Sequence, residues 1–432
     1  MVAKPIVSVI GVGSTKFGSV LSSPELKNKT MQELVTEACQ EAMTDAGVTP
    51  KQVDALYVGH YQPHNSHQYS MNTQVMDWIG MNGKPSMNFA SACSTTNAGL
   101  GLAADAIKSG RFDCVLVTAG EILSAAPAEK PGAPTGSPLK MEEVPIDLMY
   151  YYTAFGIDQI YTAYNAPGGF AEYQSFQMIQ YAKKYGLTID QMDEIECNIR
   201  RVCRKHGSLN PIAMFQTTLE QEAKKAGFKN VLDYWKSANN PTNAWPARVK
   251  GFLMPADGAT AYIVCKPSIA KRLSKKVPVD LIGHAWSGSN TPWANGDFLR
   301  FPFDEIAVKK AYKMAGVSGK DLDYLYCHDC SATLGHLVTP ELMGYLPKGQ
   351  GWKAVNEGRT MYNGDKPMCT SGGRNALGHA YAASAGAELL EVVKQMRGEA
   401  GKRQIKDRPK LAAQQNHGAM LHTAVSVLRR RS

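Results

Sequence analysis

The sequence predicts an α/β fold that is built from two similar halves. Residues 42–60 read AMTDAGVTPKQVDALYVGH and residues 311–329 read AYKMAGVSGKDLDYLYCHD, and these segments agree at 8 of 19 positions across an offset of 269. In each copy a helical pattern ends at a glycine, Gly47 or Gly316, and a turn then leads into a short apolar strand. Strands that alternate with helices in this way favour a mostly parallel sheet.

The two copies also continue alike. A short strand at 86–89 runs into Ser91-Ala-Cys-Ser-Thr-Thr-Asn97 and then into a helix of small residues. In the second half, residues 368–370 run into a Gly-Gly turn and a second helix rich in Ala and Gly. Because small side chains allow close packing, both helices are predicted to lie buried between sheets. A repeat this long excludes a solenoid.

A stretch of different composition separates the halves. Residues 124–247 begin with Pro-, Gly- and Ala-rich sequence, continue through crowded tyrosines, and end in basic amphipathic helical patterns. We interpret them as an inserted helical loop domain. The first half then covers 1–123 and is completed by 248–276, and the second half covers 277–432.

Composition and charge restrict the class of protein. The chain is 44% hydrophobic and 20% charged with a net charge of +9, which is ordinary for a globular protein and excludes disorder. No zinc-finger or RNA-binding motif supports a nucleic-acid partner. Nine cysteines without a regular framework favour free thiols in a reducing compartment. No signal peptide or stretch of ~18 apolar residues is present, so we expect a soluble cytoplasmic protein with no membrane contact.

Two short motifs do not predict a cofactor or a metal. Gly11-Val-Gly13 follows a strand, but the third glycine of a dinucleotide fingerprint would fall at Lys16. Cys327 and Cys330 form a lone Cys-x-x-Cys pair, whereas a structural zinc ion needs four ligands. We therefore expect neither a metal nor a permanently bound cofactor.

Cys93 is the candidate nucleophile. It falls between a strand and the start of a small-residue helix, where the helix dipole and unpaired N–H groups favour a thiolate. A thiolate nucleophile also needs a base and an oxyanion site. His328, His379 and the Asn416-His417-Gly418 turn all follow predicted strands of the second half, and in such folds these ends can converge on one pocket.

These motifs together resemble the thiolase superfamily, especially the sterol-carrier-protein and archaeal-type thiolases. The similarity covers nearly the whole chain. It rests on four strings in the expected order: Gly11-Val-Gly-Ser-Thr-Lys-Phe-Gly18, Ser91-Ala-Cys-Ser94, His328-Asp-Cys330 and Gly372-Gly-Arg-Asn-Ala-Leu-Gly-His379. Three departures stand out: Ser331 and Ala380 replace a phenylalanine and a proline, and Asn416 stands where many thiolases have a second catalytic cysteine.

The resemblance implies a fold and a mechanism. The fold is a duplicated five-layer αβαβα sandwich, in which each half carries a mixed five-stranded sheet. The reaction is thiolytic cleavage of a 3-oxoacyl-CoA, or its reverse Claisen condensation, with CoA and acyl-CoA as substrates. Cys93 would be acylated, His379 would be its base, and Cys330 would move the second proton. His328 and His379 would hold one oxyanion, and the N–H groups of Cys93 and Gly418 the other.

Three alternative functions are also compatible with the sequence. They are a C-acyltransferase acting on a phenolic ring, a decarboxylating ketosynthase, and a non-catalytic subunit of an acyl-CoA complex. The acyl group is also open, and benzoylsuccinyl-CoA thiolases are one group of relatives. The tyrosines at 150–152, 161 and 164 either line a pocket for a bulky substrate or pack the insert onto the core.

The resemblance also implies partners. We expect a homodimer through the first half and a small zinc-ribbon/OB-fold protein that completes the CoA tunnel. Four cations on one predicted helix either contact CoA phosphates or form a solvated face. They are Arg200, Arg201, Arg204 and Lys205.

Overall fold

The computed structural model describes residues 3–61, 70–124, 170–288, 297–418 and 422–432. Its strands are β1 (Val7–Ser14), β2 (Ala55–Gly59), β3 (Ser86–Phe89), β4 (Cys114–Glu121), β5 (Thr242–Ala244), β6 (Ala247–Arg248), β7 (Gly258–Cys265), β8 (Val279–Gly288), β9 (Tyr324–Tyr326), β10 (Leu411–Gly418) and β11 (His422–Arg430). Its α-helices are α1 (Met31–Ala46), α2 (Met71–Trp78), α3 (Thr95–Lys108), α4 (Phe170–Tyr185), α5 (Ile189–Ser208), α6 (Leu219–Lys225), α7 (Val231–Lys236), α8 (Ala270–Leu273), α9 (Pro302–Ala315), α10 (Thr339–Leu342), α11 (Gly351–Asn356), α12 (Gly373–Ala376) and α13 (Tyr381–Arg397).

The pairing of the strands shows the duplication directly. Among the described residues, nine strands form one sheet in the order β3-β2-β4-β7-β1-β8-β11-β10-β9. In the first half β2 is parallel to β3 and β4, and β7 is antiparallel to β4 and β1. In the second half β9 is parallel to β10, and β11 is antiparallel to β10 and β8. The two halves therefore repeat one topology about the β1–β8 junction. Five of the eight strand pairs described in this sheet are antiparallel, so the predicted mostly parallel pairing is wrong.

This sheet differs in two ways from the two five-stranded sheets that the resemblance implied. β1 and β8 pair antiparallel across the junction, because each is the outer strand of its half and its open backbone edge can take a partner. The fifth strand of the second half is reduced to a single parallel bridge between Leu325 and Met368. Cys369 follows with a left-handed backbone (φ 46°), which turns the chain out of the sheet.

The helices complete five layers. α3 and α13 pack on each other between the two halves of the sheet, α1 covers the outer face of β1 and β7, and α9 covers β8 and β11. The predicted burial of the two small-residue helices is confirmed, since nearly every side chain of α13 is buried. α1 and α9 end at Gly47 (φ 72°) and Gly316 (φ 68°), the predicted glycine C-caps.

The helices that follow residue 170 pack onto the second half. One apolar cluster joins them to the core, and it includes Tyr173, Met178, Ile195, Ile199, Phe301, Leu334 and Leu337. The predicted tyrosine pocket at 150–164 lies outside the described residues, and the domain limits stay a prediction. All nine cysteines are buried and free, as expected. None of the described helices is long and apolar enough to cross a membrane.

Candidate active site

Cys93 lies on a tight turn between β3 and α3. Residues 92–94 form one turn of 3₁₀ helix directly before the first residue of α3. Ala92 has φ 45°, a left-handed conformation that is costly for a residue other than glycine. Hydrogen bonds hold this turn: Ser91 N donates to Thr95 Oγ1 (2.9 Å), and Thr95 Oγ1 donates to the Ala92 carbonyl (2.6 Å). The fold thus fixes a thiol at the start of a buried 14-residue helix.

His379 contacts the thiol directly. Its Nε2 lies 3.2 Å from Cys93 Sγ, and its Nδ1 lies 2.8 Å from Ser384 Oγ. The Ser384 hydroxyl donates to the Ala380 carbonyl (3.2 Å), so it accepts from Nδ1–H and leaves Nε2 with its lone pair towards the thiol. Burial lowers the pKa of His379, the contact with Cys93 opposes this shift, and the charge of Arg374 adds to it. The imidazole is therefore a neutral base.

Cys330 lies beside this pair on the loop that follows β9. Cys93, Cys330 and His379 place one sulfur or nitrogen atom each within 4.8 Å of one another. A hydrogen bond from Cys330 lowers the pKa of Cys93 against the effect of burial, with help from His379 and Arg374. Burial and the contact with Cys93 raise the pKa of Cys330. The two thiols therefore differ: Cys93 loses its proton to a base more readily, whereas Cys330 holds its proton and can act as an acid.

Arg374 was not singled out from the sequence. Its side chain is 0% exposed. Nη1 lies 2.8 Å from His328 Nδ1 and 3.5 Å from Cys330 Sγ, Nη2 donates to the Cys93 carbonyl (3.0 Å), and Nε donates to Glu388 Oε1 (2.7 Å). A cation inside a run of glycine and small residues, with an acid on the following apolar helix, is the signal that could have revealed it.

The end of β10 closes the site from another side. A Cβ added to Gly418 would lie 2.6 Å from the Ser91 carbonyl, so this strand end approaches the Cys93 turn closely. Asn416 Nδ2 donates to Glu388 Oε2, and its Oδ1 accepts from Asn97 Nδ2 (2.8 Å). His417 Nε2 lies 2.6 Å from Asp304 Oδ2, and its ring lies 5.4 Å from that of His328. Cys327, in contrast, belongs to the apolar core.

The four predicted CoA-phosphate cations do not share an open surface. Arg200 is buried and donates to the Phe252 carbonyl (2.8 Å), and Arg204 is buried against Glu222 (2.8 Å). Arg201 is exposed but pairs with Glu220 (2.7 Å). Lys205 is partly exposed. This corrects the reading of the helix as a basic face, because half of its cations point inward; phosphate contact stays a prediction for Arg201 and Lys205.

A second thiol–imidazole pair lies on the other side of the same loop. Cys203 Sγ and Asp329 Oδ2 each lie 3.4 Å from His336 Nε2, and Nδ1 of His336 has no hydrogen-bond partner among the described residues. Burial lowers the pKa of His336, but the contacts with Cys203 and Asp329 outweigh it and raise the pKa to about 10. By ligand type either group of three could hold a metal. Arg374 disfavours a cation at the first, since its charge touches Cys330.

Two family models match the chain: "Thiolase, N-terminal domain" over residues 7–194 and "Thiolase C-terminal domain-like" over residues 294–430. An acetyl-CoA acetyltransferase of Methanothermobacter thermautotrophicus is 29% identical over 403 residues, which are 92% of this chain and 93% of that protein. The benzoylsuccinyl-CoA thiolase subunit BbsB of Thauera aromatica is 25% identical over 414 residues, covering 94% and 93%.

The fold likeness extends to solved structures. The structure titled "Ltp2-ChsH2(DUF35) aldolase" matches with a TM-score of 0.75 at 18% identity, covering 100% of this chain and 99% of that one, and shows the shared fold alone. Because the two family models together span most of both halves, the chain belongs to the thiolase family and is a CoA-dependent acyltransferase of the thiolase type.

Proposed function

We propose that this chain cleaves a 3-oxoacyl-CoA with a second CoA, or runs the reverse Claisen condensation, through an acyl-enzyme on Cys93. One observation carries the proposal: Cys93 Sγ lies 3.2 Å from His379 Nε2, with the Cys330 thiol alongside. A nucleophile, its base and a second proton donor are the groups that this reaction needs.

The first step acylates Cys93. His379 takes the thiol proton at Nε2, which is free to accept it because Nδ1–H is held by Ser384. The Cys93 thiolate attacks the 3-oxo carbon of the substrate. The bond between C2 and C3 then breaks, and its electron pair stays on C2 as the enolate of a CoA thioester. Splitting one carbon–carbon cleavage into two acyl transfers is the advantage of the covalent route.

The second proton transfer belongs to Cys330. Cys330 donates its proton to C2 of the enolate, whose thioester oxygen is held by His328 and His379. The backbone N–H groups of Cys93 and Gly418 hold the acyl oxygen, which the close approach of Gly418 to Ser91 supports. The thiol of the second CoA then gives its proton to Cys330 and its sulfur attacks the acyl carbon. The Cys93 thiolate leaves and takes back the proton that His379 held.

A substrate panel tests this function. We expect multiple turnovers of acetoacetyl-CoA or a longer 3-oxoacyl-CoA, monitored by loss of the enolate absorbance, only when CoA is added. Cys93→Ala should abolish the reaction. Release of CO₂ from a malonyl thioester would instead indicate a decarboxylating ketosynthase. Acylation of a phenol without CoA would indicate a C-acyltransferase, and no turnover with any of these would indicate a non-catalytic subunit.

The acyl group is a narrower proposal. Because one relative is a benzoylsuccinyl-CoA thiolase subunit, benzoylsuccinyl-CoA belongs in the panel beside acetoacetyl-CoA. The enzyme binds CoA and acyl-CoA as substrates. A ratio of kcat/KM values that favours the aromatic substrate supports this assignment, and a preference for acetoacetyl-CoA overturns it.

The assembly is also part of the proposal. β3 is an edge strand on which Met87 is 39% exposed, so a second copy can pair there to form a homodimer. A small zinc-ribbon/OB-fold partner is supported by one structural relative titled with a DUF35 component and by another relative named as a subunit. The isolated chain should then bind CoA weakly and turn over slowly. Size-exclusion chromatography and kinetics decide this, since full activity of the chain alone contradicts it.

The free, buried state of all nine cysteines supports a cytoplasmic location. Fractionation of the native source cells tests it, and recovery outside the cytoplasm overturns it.

A further inference from the structure

The active site holds a buried cation that the proposed steps do not use. Arg374 reaches it from α12, and its guanidinium contacts three groups there: the ring of His328, the Cys330 thiol and the Cys93 carbonyl. A fully buried guanidinium persists only where its charge and its N–H groups are matched. The site is therefore organised around this side chain.

Glu388 balances the charge. Its Oε1 accepts from Arg374 Nε (2.7 Å), while its Oε2 accepts from Asn416 Nδ2 and from Gln414 Nε2 (3.5 Å). Burial raises the pKa of Glu388 to about 7, although Arg374 opposes this shift. Asn416 thus supports the carboxylate that supports Arg374. Arg374 and Asn416, the latter a departure from the common thiolase pattern, therefore belong to one hydrogen-bond network through Glu388.

Arg374 determines which nitrogen of His328 carries a proton. Nη1 has only N–H groups to offer, so His328 Nδ1 accepts and the proton must lie on Nε2. Burial lowers the pKa of His328, and the charge of Arg374 adds to this, so the ring is neutral. Nε2 makes no hydrogen bond to the described residues. It is left as an N–H donor for a substrate oxygen.

Arg374 also touches the sulfur of Cys330. When Cys330 gives its proton to C2 of the leaving enolate, it becomes a thiolate 3.5 Å from Nη1. A charge-assisted contact stabilises that thiolate more than the neutral thiol. Cys93 before α3 and His379 before α13 are the other titratable groups next to the Cys330 thiol. His328 and Glu388 contact Arg374 rather than the thiol, and His417 on β10 lies against the ring of His328.

We propose that Arg374 is a positioning residue of the thiolase reaction, holding His328 as an Nε2–H donor and stabilising the Cys330 thiolate after proton transfer. This inference rests on the proposed function. Proton balance is preserved: the proton lost to C2 is returned to Cys330 by the thiol of the incoming CoA. Arg374 itself neither gains nor loses a proton.

The test compares Arg374→Gln with a matched pair that lies outside the site. Arg403 and Glu391 form a second buried arginine–glutamate pair, with Nη2 2.8 Å from Oε2 and Glu391 one turn after Glu388 on α13. Arg403→Gln reports the stability cost of losing such a pair without touching the site. Three readouts are used: thiolysis of acetoacetyl-CoA, deuterium exchange at C2 of acetyl-CoA, and the release of p-nitrophenolate from p-nitrophenyl acetate.

The expected pattern separates the two half-reactions. Arg374→Gln should slow thiolysis and C2 exchange by about 100-fold, as for loss of an oxyanion donor. It should slow p-nitrophenolate release far less than C2 exchange, because that leaving group needs no acid and Arg374 is the weakest of the groups that lower the pKa of Cys93. The pH profile of C2 exchange should move to higher pH, since the Cys330 thiolate has lost its cation. Arg403→Gln should leave the rates of C2 exchange and of p-nitrophenolate release unchanged.

Contrary outcomes are distinct. Equal loss of both half-reactions in a folded Arg374→Gln, or retention of both, overturns the positioning role. If Arg374→Gln does not fold, the double variant Arg374→Gln/Glu388→Gln, which buries no unpaired charge, gives the same comparison. Wild-type protein that releases p-nitrophenolate at Cys93 but never cleaves a 3-oxoacyl-CoA refutes the proposed function instead, and C2 exchange still tests Arg374.

Discussion

Two thiol–imidazole pairs lie on opposite sides of the loop that follows β9, and they differ in how the imidazole is held. His379 faces Cys93 with Nε2 and Ser384 with Nδ1. His336 faces both Cys203 and Asp329 with Nε2. The first ring can accept a proton on one side while a hydroxyl steadies the other. The second ring is held protonated between a thiol and a carboxylate.

Two features distinguish a reactive cysteine–histidine contact from an unreactive one in this protein. Distance does not separate the pairs, since the S–N separations are 3.2 Å and 3.4 Å. The two thiols differ in position, because Cys93 lies on a turn at the start of a helix and Cys203 lies within α5. The two imidazoles also differ in protonation, because burial lowers the pKa of His379 whereas the pKa of His336 is raised to about 10. Cys93 and His379 are a nucleophile and its base, whereas His336 forms an internal ion pair with Asp329 beside the Cys203 thiol.

Removing each thiol in turn should give the largest difference in turnover between the two pairs. Cys93→Ala should abolish thiolysis, with a loss of at least about 10⁴-fold, because no acyl-enzyme can form. Cys203→Ala should keep kcat within about 3-fold and lose stability instead, since it leaves a small cavity in the core. Steady-state kinetics together with thermal unfolding measure both. Comparable loss of turnover in the two variants removes the distinction.

Cys330→Ala sharpens the account of the first pair. We expect thiolysis to fall by about 10²–10⁴-fold, the usual range for a general acid, because C2 is left without its proton donor. Acylation of Cys93 by p-nitrophenyl acetate should persist. Asn416 cannot substitute, since its amide is bound to Glu388 and Asn97. Near-normal thiolysis by this variant would place the acid elsewhere, and His417 would be the next residue to change.

Alkylation as a function of pH compares the two thiols in one experiment. The pKa of Cys93 is lowered by its hydrogen bond from Cys330, so its reaction with iodoacetamide should persist well below about pH 8.5, where ordinary thiols lose reactivity. In Cys330→Ala the pH at which alkylation of Cys93 becomes fast should shift to a higher value. Cys203 should stay unmodified in the folded protein, because it is fully buried. If peptide mapping finds that Cys203 is modified before Cys93, the expected order of reactivity is wrong.

The smallest effect concerns stability alone. His336→Gln should leave kcat within about 3-fold and lower the free energy of unfolding by about 2 kcal/mol, as for a lost buried hydrogen-bond partner. Because the pKa of His336 is raised in the folded state, its contribution is complete below about pH 6.5 and is lost as the pH rises through about 10. The difference in the free energy of unfolding between wild type and variant, measured with urea, should therefore decrease between about pH 6.5 and 10. A difference that increases with pH refutes the ion pair.

Local sequence features predicted much of this fold and part of the site. The repeat predicted the duplication, Gly47 and Gly316 predicted the helix ends, and the strand–turn–helix pattern singled out Cys93. These signals are local, because caps and turns depend on neighbouring residues.

The remaining features depend on contacts between distant segments. The small residues around Arg374 and the acid on the following helix hint at a buried cation, but its contacts with His328, Cys330 and the Cys93 carbonyl join segments that are distant in the chain. Arg200 and Arg204 looked like a basic face for the same reason, since Phe252 and Glu222 cover them only in the folded protein. The pairing of Cys203 with His336 likewise joins residues 133 positions apart.

Acylation of Cys93 can be observed directly by trapping the acyl-enzyme. The protein, with its partner if one is required, is mixed with acetoacetyl-CoA in the absence of free CoA, quenched in acid, digested and examined by mass spectrometry. We expect an acetyl group on the peptide that carries Cys93, none on the peptide that carries Cys203, and loss of the acetyl group when CoA is added before the quench. An active protein whose acetyl group lies on another residue, or that turns over without any acyl-enzyme on Cys93, would contradict this expectation.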